Sequence, residues 1–371
     1  MEAQGSYKPG LEGVVAAETE VSYLDVEAEE IVIKGYDLIE LAEKRQYLDL
    51  VGLLLEGELP SNQRKKEIEW ILQKEYQLQD EILEILRLLP KETHPMDALR
   101  TGISILSGYD HTIDDRTESG NREKAMRLLG KIPTLVASSY HLLNEEDVID
   151  PRTELSFSAN FLYMMTGREA SALEVDVFDQ SLVAYSEHEM PNSTFAARVI
   201  ASTHADIYGA LTGAVSSLKG HLHGGANEAV MRMLLEADTI EGFKKLIYDK
   251  LQNKERIMGF GHRVYMKKMD PRATLMKKAL RSLAKEKDNF TLYDMCEAGE
   301  QVMKEEKGLY PNLDYYAAPV YYMLGIPIDL FTPVFFAART VGLAAHVMEQ
   351  HSHNRLFRPR VNYTGPRHLH P

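Results

Sequence analysis

Three short segments carry side chains able to manage a proton during bond formation: His221-Leu222-His223-Gly224-Gly225, Gly259-Phe260-Gly261-His262 and Pro311-Asn312-Leu313-Asp314. His223 falls between a small-residue stretch and an amphipathic one, which places it at a helix N-terminus. The positive end of the helix dipole disfavours imidazolium there and suits a neutral histidine that donates a hydrogen bond to a developing enolate. His221 and His223 could also form half of a metal site, but no cysteine or paired carboxylate nearby completes one, so no metal is expected. Asp314 follows a proline turn among aromatic residues. It is a candidate base with a pKa that burial can tune; the blander alternative is a helix N-cap.

Anion-binding groups lie around these segments. Between Lys254 and Arg281 there are nine Lys or Arg residues (254, 256, 263, 267, 268, 272, 277, 278 and 281) against only Glu255 and Asp270. In a chain of net charge -14, that local excess suggests a phosphate or carboxylate ligand, although Lys277, Lys278 and Arg281 read as a solvated helix face. Gly259 and Gly261 would let main-chain N–H groups approach a ligand closely. The spacing is not that of a dinucleotide fingerprint. Arg339 sits in the apolar run 331–348, where a guanidinium needs either a structural acid or a substrate carboxylate. Arg358 lies in the C-terminal Phe-Arg-Pro-Arg segment, where a flexible arm is the plain alternative. His188 opens a partial HExxH pattern, but Asn192 occupies the place of the second histidine, so a zinc peptidase is excluded.

The elements that must position these groups are mostly helical. Residues 20–24 and 30–34 read as a small hairpin around an acidic turn. Helical spacing follows over 36–55, 61–72 with Ser61 as N-cap, 82–89, 123–143, 155–165, 173–187, 194–218, 227–236, 240–252, 272–284, 292–307 and 333–350. The stretch 193–217 is dominated by Ala, Ser, Thr and Gly, as in a tightly packed interior or a subunit contact. There is no alternation of strands and helices, which argues against a parallel-sheet nucleotide fold. The expectation is an all-α protein of about fifteen or more helices.

Composition narrows the class further. The acidic balance argues against a dedicated partner for nucleic acid or an anionic membrane. A lone cysteine, Cys296, excludes an intramolecular disulfide and fits a reducing cytoplasm. The N-terminus lacks the pattern of a signal peptide, and the apolar stretch 334–348 is shorter than the ~20 residues of a membrane span.

Together, KGYD (34–37), HPMDALRTG (94–102), SEHEMPNSTFAARV (186–199), LHGGANEAV (222–230), GFGHRVY (259–265), DPRA (270–273), YPNLDYY (310–316), ART (338–340) and RPR (358–360) resemble the citrate synthase superfamily in order and spacing over nearly the whole chain. HPMDALRTG and SEHEMPNSTFAARV are most similar to its short bacterial, Bacillus-like branch, which includes 2-methylcitrate synthases. The resemblance implies an all-α, two-domain homodimer with a small N-terminal β-hairpin: a large domain of 1–222 and 319–371, and a small domain of 223–318. It implies that Asp314 removes the α-proton of an acyl-CoA, His223 stabilises the enolate and His262 serves the keto oxygen of oxaloacetate. His188, Arg272, Arg339 and Arg358 would hold the oxaloacetate carboxylates, Arg358 from the other subunit, and Arg256, Ile257, Met258, Gly259, Phe260 and Gly261 would contact CoA. Propionyl-CoA and acetyl-CoA would be substrates, with no further cofactor. Between His262 and Asp270 the chain is one residue longer than the usual family spacing, which bears on Arg272.

Two alternatives stand beside this. A plain citrate synthase would differ by one methylene in its acyl substrate. A non-catalytic helical scaffold or metal-binding protein would use the chain's thirteen histidines, including His351, His353, His368 and His370 near the C-terminus.

Overall fold

A computed structural model describes residues 7–25, 28, 30–221, 223–261 and 268–371. His262 therefore lies outside the described residues. The N-terminal hairpin forms as expected: β1 (Ser22–Asp25) pairs antiparallel with β2 (Glu30–Ile33), Ser22 opposite Ile33. A two-residue β3 (Tyr36–Asp37) extends it. Alternation turns Ile31 and Ile33 inward, where both are fully buried.

Sixteen α-helices follow among the described residues. The first six are α1 (Leu38–Lys44), α2 (Tyr47–Glu56), α3 (Asn62–Glu75), α4 (Asp80–Arg87), α5 (Pro95–Leu106) and α6 (Glu118–Leu143). Next come α7 (Phe157–Thr166), α8 (Ala172–Ser186), α9 (Asn192–Ala201) and α10 (Ile207–Lys219). The last six are α11 (Ala226–Ala237), α12 (Ile240–Gln252), α13 (Pro271–Glu286), α14 (Thr291–Lys307), α15 (Leu313–Met323) and α16 (Phe331–Ser352). Ser61 caps α3 as expected, accepting the Arg64 N–H at 3.1 Å.

Two stretches expected to be continuous are broken. Residues 36–55 divide into β3, α1 and α2, because Asp37 caps the Glu40 N–H and Gln46 forms a capping box with Asp49. The small-residue stretch divides into α9 and α10. His204 turns to φ +62°, and Asp206 restarts a helix by accepting the Gly209 N–H at 2.9 Å. Hydrophobic periodicity missed both breaks because it reports the buried face, and polar caps interrupt the backbone without disturbing that face. The two halves pack on each other. A Cβ on Gly213 would lie 2.1 Å from Ile200 Cδ1, so at this point the small residue serves interior packing.

Helix α16 is the central core element, packed against α2, α5, α6, α8, α9 and α10. It is longer than the apolar stretch within it and has the length and composition of a membrane span, but almost all of it is buried inside the protein. Helices α11 to α15 pack largely among themselves and touch the rest mainly through α8, α16 and α1. Helix α15 runs without a break through positions 318 and 319, where the domain boundary was expected.

Candidate active site

Asp314 is the second residue of α15, so the blander N-cap reading does not hold. Asn312 is the cap, its Oδ1 accepting the Asp314 N–H at 3.1 Å. The Tyr185 hydroxyl, at the C-terminal end of α8, donates to Asp314 Oδ1 at 2.7 Å. That bond holds one carboxylate oxygen and leaves the other to act. Burial pushes the Asp314 carboxyl up to about 6; the Tyr185 bond and the positive charges of Arg272 and Arg339 oppose that rise but do not overcome it.

His223 sits three residues ahead of α11 and faces the start of α9. The Ser193 N–H, one of the unpaired donors of a helix's first turn, points at His223 Nε2 at 3.3 Å, and Ser193 Oγ lies 3.0 Å from the same atom. An amide can only donate. Nε2 therefore carries the lone pair, and a neutral ring has its proton on Nδ1. Burial, followed by the positive field of Arg339, lowers the imidazole pKa to about 4. The ring is neutral at physiological pH and can donate from Nδ1.

Arg339, Gly342 and His346 recur at i, i+3 and i+7 on α16 and meet the end of α8. Arg339 is almost fully buried; its Nε donates to the Tyr185 carbonyl at 2.6 Å and its guanidinium stacks over Phe335. Burial pushes it down to about 10, so it stays cationic near neutral pH. Glu187 is fully buried and accepts from His346 Nε2 at 3.1 Å and from the Ser22 hydroxyl at 2.9 Å. The other nitrogen of His346, Nδ1, meets Arg198 at 3.0 Å. Burial alone would raise the Glu187 carboxyl, but His346 and Arg339 hold it below the usual range.

Gly342 makes room for this carboxylate. A Cβ there would lie 2.1 Å from Glu187 Oε2 and 2.5 Å from the Ser186 carbonyl. In an open helix Gly→Ala stabilises by roughly 0.5–1 kcal/mol. Here Gly342→Ala overpacks, with an expected destabilisation of about 1–3 kcal/mol. Thermal unfolding checks the sign; an unchanged or higher Tm would refute the tight contact.

The other expected binding residues fall in several places. Arg272 is buried and forms a bidentate pair with Asp270, from Nε at 3.1 Å and Nη2 at 2.8 Å. Asp270 also accepts the Leu313 N–H, which ties the start of α13 to the turn before Asp314. His188 is buried in the segment between α8 and α9. Arg358 lies exposed on the extended C-terminal segment, its Nη1 donating to the adjacent Pro359 carbonyl.

Gly259 and Gly261 adopt positive φ, +86° and +74°. Several of their main-chain groups bond to the turn ahead of α15. Gly261 N–H donates to the Tyr310 carbonyl, and the Gly259 and Gly261 carbonyls accept from Asn312. A Cβ on Gly259 would lie 2.7 Å from Val230 and 2.9 Å from Tyr315, so glycine permits the loop to lie against the Asp314 turn. Arg256 is exposed, Ile257 buried, and Met258 and Phe260 partly buried. Lys278 pairs with Glu43 on an exposed helix face, as expected, whereas Lys277 is partly buried and pairs with Glu297 and Glu300. The histidines near the C-terminus do not form a cluster. His351 is half-buried and bonded to Asn121 and Ala205, whereas His353, His368 and His370 are exposed. Among the described residues no group of three or more His, Cys, Asp or Glu is arranged to hold a metal ion.

Residues 10–360 match the family described as "Citrate synthase, C-terminal domain". The chain belongs to the citrate synthase family. It is 63% identical over 368 residues to the "Citrate/2-methylcitrate synthase" of Bacillus subtilis (strain 168), covering 99% of each chain. It is 63% identical to the "Citrate synthase" of Heyndrickxia coagulans over 97% of each. Among solved structures, the ternary complex of carboxymethyl coenzyme A and oxaloacetate with citrate synthase from Thermoplasma acidophilum superposes with a TM-score of 0.92 at 30% identity, covering 98% of this chain and 97% of that one.

Several residues of the candidate site were not singled out by the sequence. Tyr185, Ser193, Glu187 and Ser22 are ordinary in their local contexts. His346 was visible only as a charge-capable residue in an apolar run. Its spacing from Arg339, two helical turns, was the available signal, because two polar groups on one face of a buried helix need a common polar partner.

Proposed function

We propose that the chain is a 2-methylcitrate synthase type of enzyme that condenses propionyl-CoA, and also acetyl-CoA, with oxaloacetate. The observation that carries the condensation chemistry is the presence of a raised buried carboxylate, Asp314, and a neutral histidine, His223, whose ring proton is on Nδ1. A thioester α-proton is weakly acidic. A carboxylate can remove it only if the enolate is stabilised as it forms. Asp314 takes the α-proton while His223 Nδ1–H donates to the thioester oxygen. The new carbon–carbon bond forms as the enol attacks the keto carbon of oxaloacetate, His262 supplying a proton to its oxygen. Water then cleaves the thioester and releases CoA.

Arg272, Arg339 and His188, joined by Arg358 from a second subunit, hold the two carboxylates of oxaloacetate. Residues 256–261 contact CoA. The small domain is 223–318, with α15 spanning its boundary with the large domain (1–222 and 319–371), and closure of the two excludes water from the enolate. The protein acts in the cytoplasm, consistent with a single buried thiol. This chemistry asks for no metal or redox cofactor, because the CoA thioester is itself a substrate.

Propionyl and acetyl differ by one methylene, which is worth about 1–3 kcal/mol, or 10–200-fold, in a pocket. Both acyl-CoAs should therefore turn over with oxaloacetate in the presence of EDTA, with kcat/KM for propionyl-CoA equal to or above that for acetyl-CoA. A strong acetyl-CoA preference would overturn the propionyl assignment in favour of a plain citrate synthase, a name one of the two 63% relatives carries.

A further inference from the structure

The loop that carries His188 is held from a distant part of the chain. Ser22, in β1, is buried, and its hydroxyl makes two bonds. It donates to Glu187 Oε1 at 2.9 Å and accepts the Glu189 N–H at 3.0 Å. A hydroxyl has one proton and two lone pairs, so both bonds form together. One oxygen atom thus ties the residues on either side of His188. Glu189 needs such a tie, because it holds φ +61°, a conformation that a non-glycine residue keeps only where its surroundings impose it.

Ser22 is itself anchored. It is paired with Ile33 in the hairpin, and two residues earlier the Glu20 N–H donates to Glu349 Oε1 at 2.7 Å. Glu349 in turn pairs with Arg198, and Arg198 meets His346, which bonds to Glu187. The anchor and the clamped residue therefore belong to one closed network joining β1, α9 and α16 to the end of α8. Deleting the hydroxyl leaves Glu187 bonded to His346 but releases Glu189.

We propose that Ser22 is a positioning residue for His188, clamping residues 187–189 so that the imidazole is preset to receive an oxaloacetate carboxylate. This rests on the assignment of His188 to oxaloacetate made above. Loss of a merely structural staple for the hairpin would lower Tm and kcat and raise both KM values together. A clamp acts on one substrate.

Steady-state kinetics and thermal unfolding of the full-length chain separate the two. Ser22→Ala should raise KM for oxaloacetate about tenfold, as expected for loss of one hydrogen bond and the order it imposes. KM for propionyl-CoA and kcat should stay within about threefold. Ser22→Thr, which keeps the hydroxyl, should restore oxaloacetate KM to within about threefold of the parent. His188→Gln should raise oxaloacetate KM on its own, and adding Ser22→Ala to it should cost less than about twofold more, because the clamp has lost what it positions. An unchanged oxaloacetate KM in Ser22→Ala, a full additive loss in the double variant, or a fall of kcat and Tm with a parallel rise of both KM values would each overturn the clamp. If Ser22→Ala does not fold, Ser22→Cys, a weaker donor, replaces it: a selective rise in oxaloacetate KM supports the proposal and no rise overturns it. If His188→Gln leaves oxaloacetate KM unchanged, the assignment of His188 fails first, and the clamp with it.

Discussion

Asp314→Asn should lose about 10²- to 10⁴-fold in kcat, the range for removing a positioned general base. The substitution keeps the shape of the side chain and an acceptor for the Tyr185 hydroxyl, so folding should survive. Its pH dependence gives a second test. The Asp314 carboxyl lies near 6, so below that pH it is protonated and cannot take a proton from carbon. The parent's kcat/KM should rise with pH through about 6 and then level off, and the residual activity of the Asn variant should lack that limb. Stability runs the other way. The folded carboxyl titrates above its ordinary value of 3.8, so between pH 3.8 and 6 the folded state binds more protons than the unfolded state. Ionisation therefore costs stability as pH rises through that window, and the cost persists above it. Asp314→Asn should accordingly melt above the parent at pH 8 and show little difference at pH 4. Activity near the parent's in Asp314→Asn would refute the assignment of the base.

His223→Ala should lower kcat about 10²- to 10³-fold, as when one donor to a developing oxyanion is removed. The effect should fall on the chemical step, with KM for oxaloacetate nearly unchanged, since the arginines proposed to hold its carboxylates remain in place. Because the imidazole pKa is pushed down to about 4, the histidine stays neutral across the working range. The acidic limb near pH 6 should therefore belong to Asp314 alone and persist in the residual activity of His223→Ala. Exchange of the α-hydrogens of the acyl-CoA with solvent deuterium, followed by mass spectrometry, isolates the step; it should slow in parallel with kcat. Exchange at the parent rate in His223→Ala would remove His223 from enolate stabilisation.

How far these groups could be seen in the sequence depends on the range of the interactions that set them. The helical class followed from hydrophobic spacing, which local geometry dictates, and most helix centres fell where the periodicity put them. Breaks at Gln46 and between Ala201 and Ile207 did not, because caps act through polar side chains that leave the apolar face unchanged. His223 and Asp314 stood out through their own neighbours, a diglycine and a proline turn. Their protonation was a different matter. The proton position on His223 depends on the Ser193 amide, 30 residues away, and the raised carboxyl of Asp314 on burial opposed by Tyr185, 129 residues away.

The residues 259–261 show the same division. Two glycines before a histidine suggested a backbone open to a ligand; what the spacing could not show is that Gly261 N–H and the Gly259 and Gly261 carbonyls also brace the turn that presents Asp314. On its own the sequence determined the helical class, the order of the reactive segments and the candidate acid–base pair, because each is encoded by residue type and short spacing. Only the tertiary structure decided which atoms meet, which nitrogen carries a proton and which distant serine holds the loop of His188. Those depend on burial and on contacts between residues 30 to 165 positions apart in the chain, and no local pattern records them.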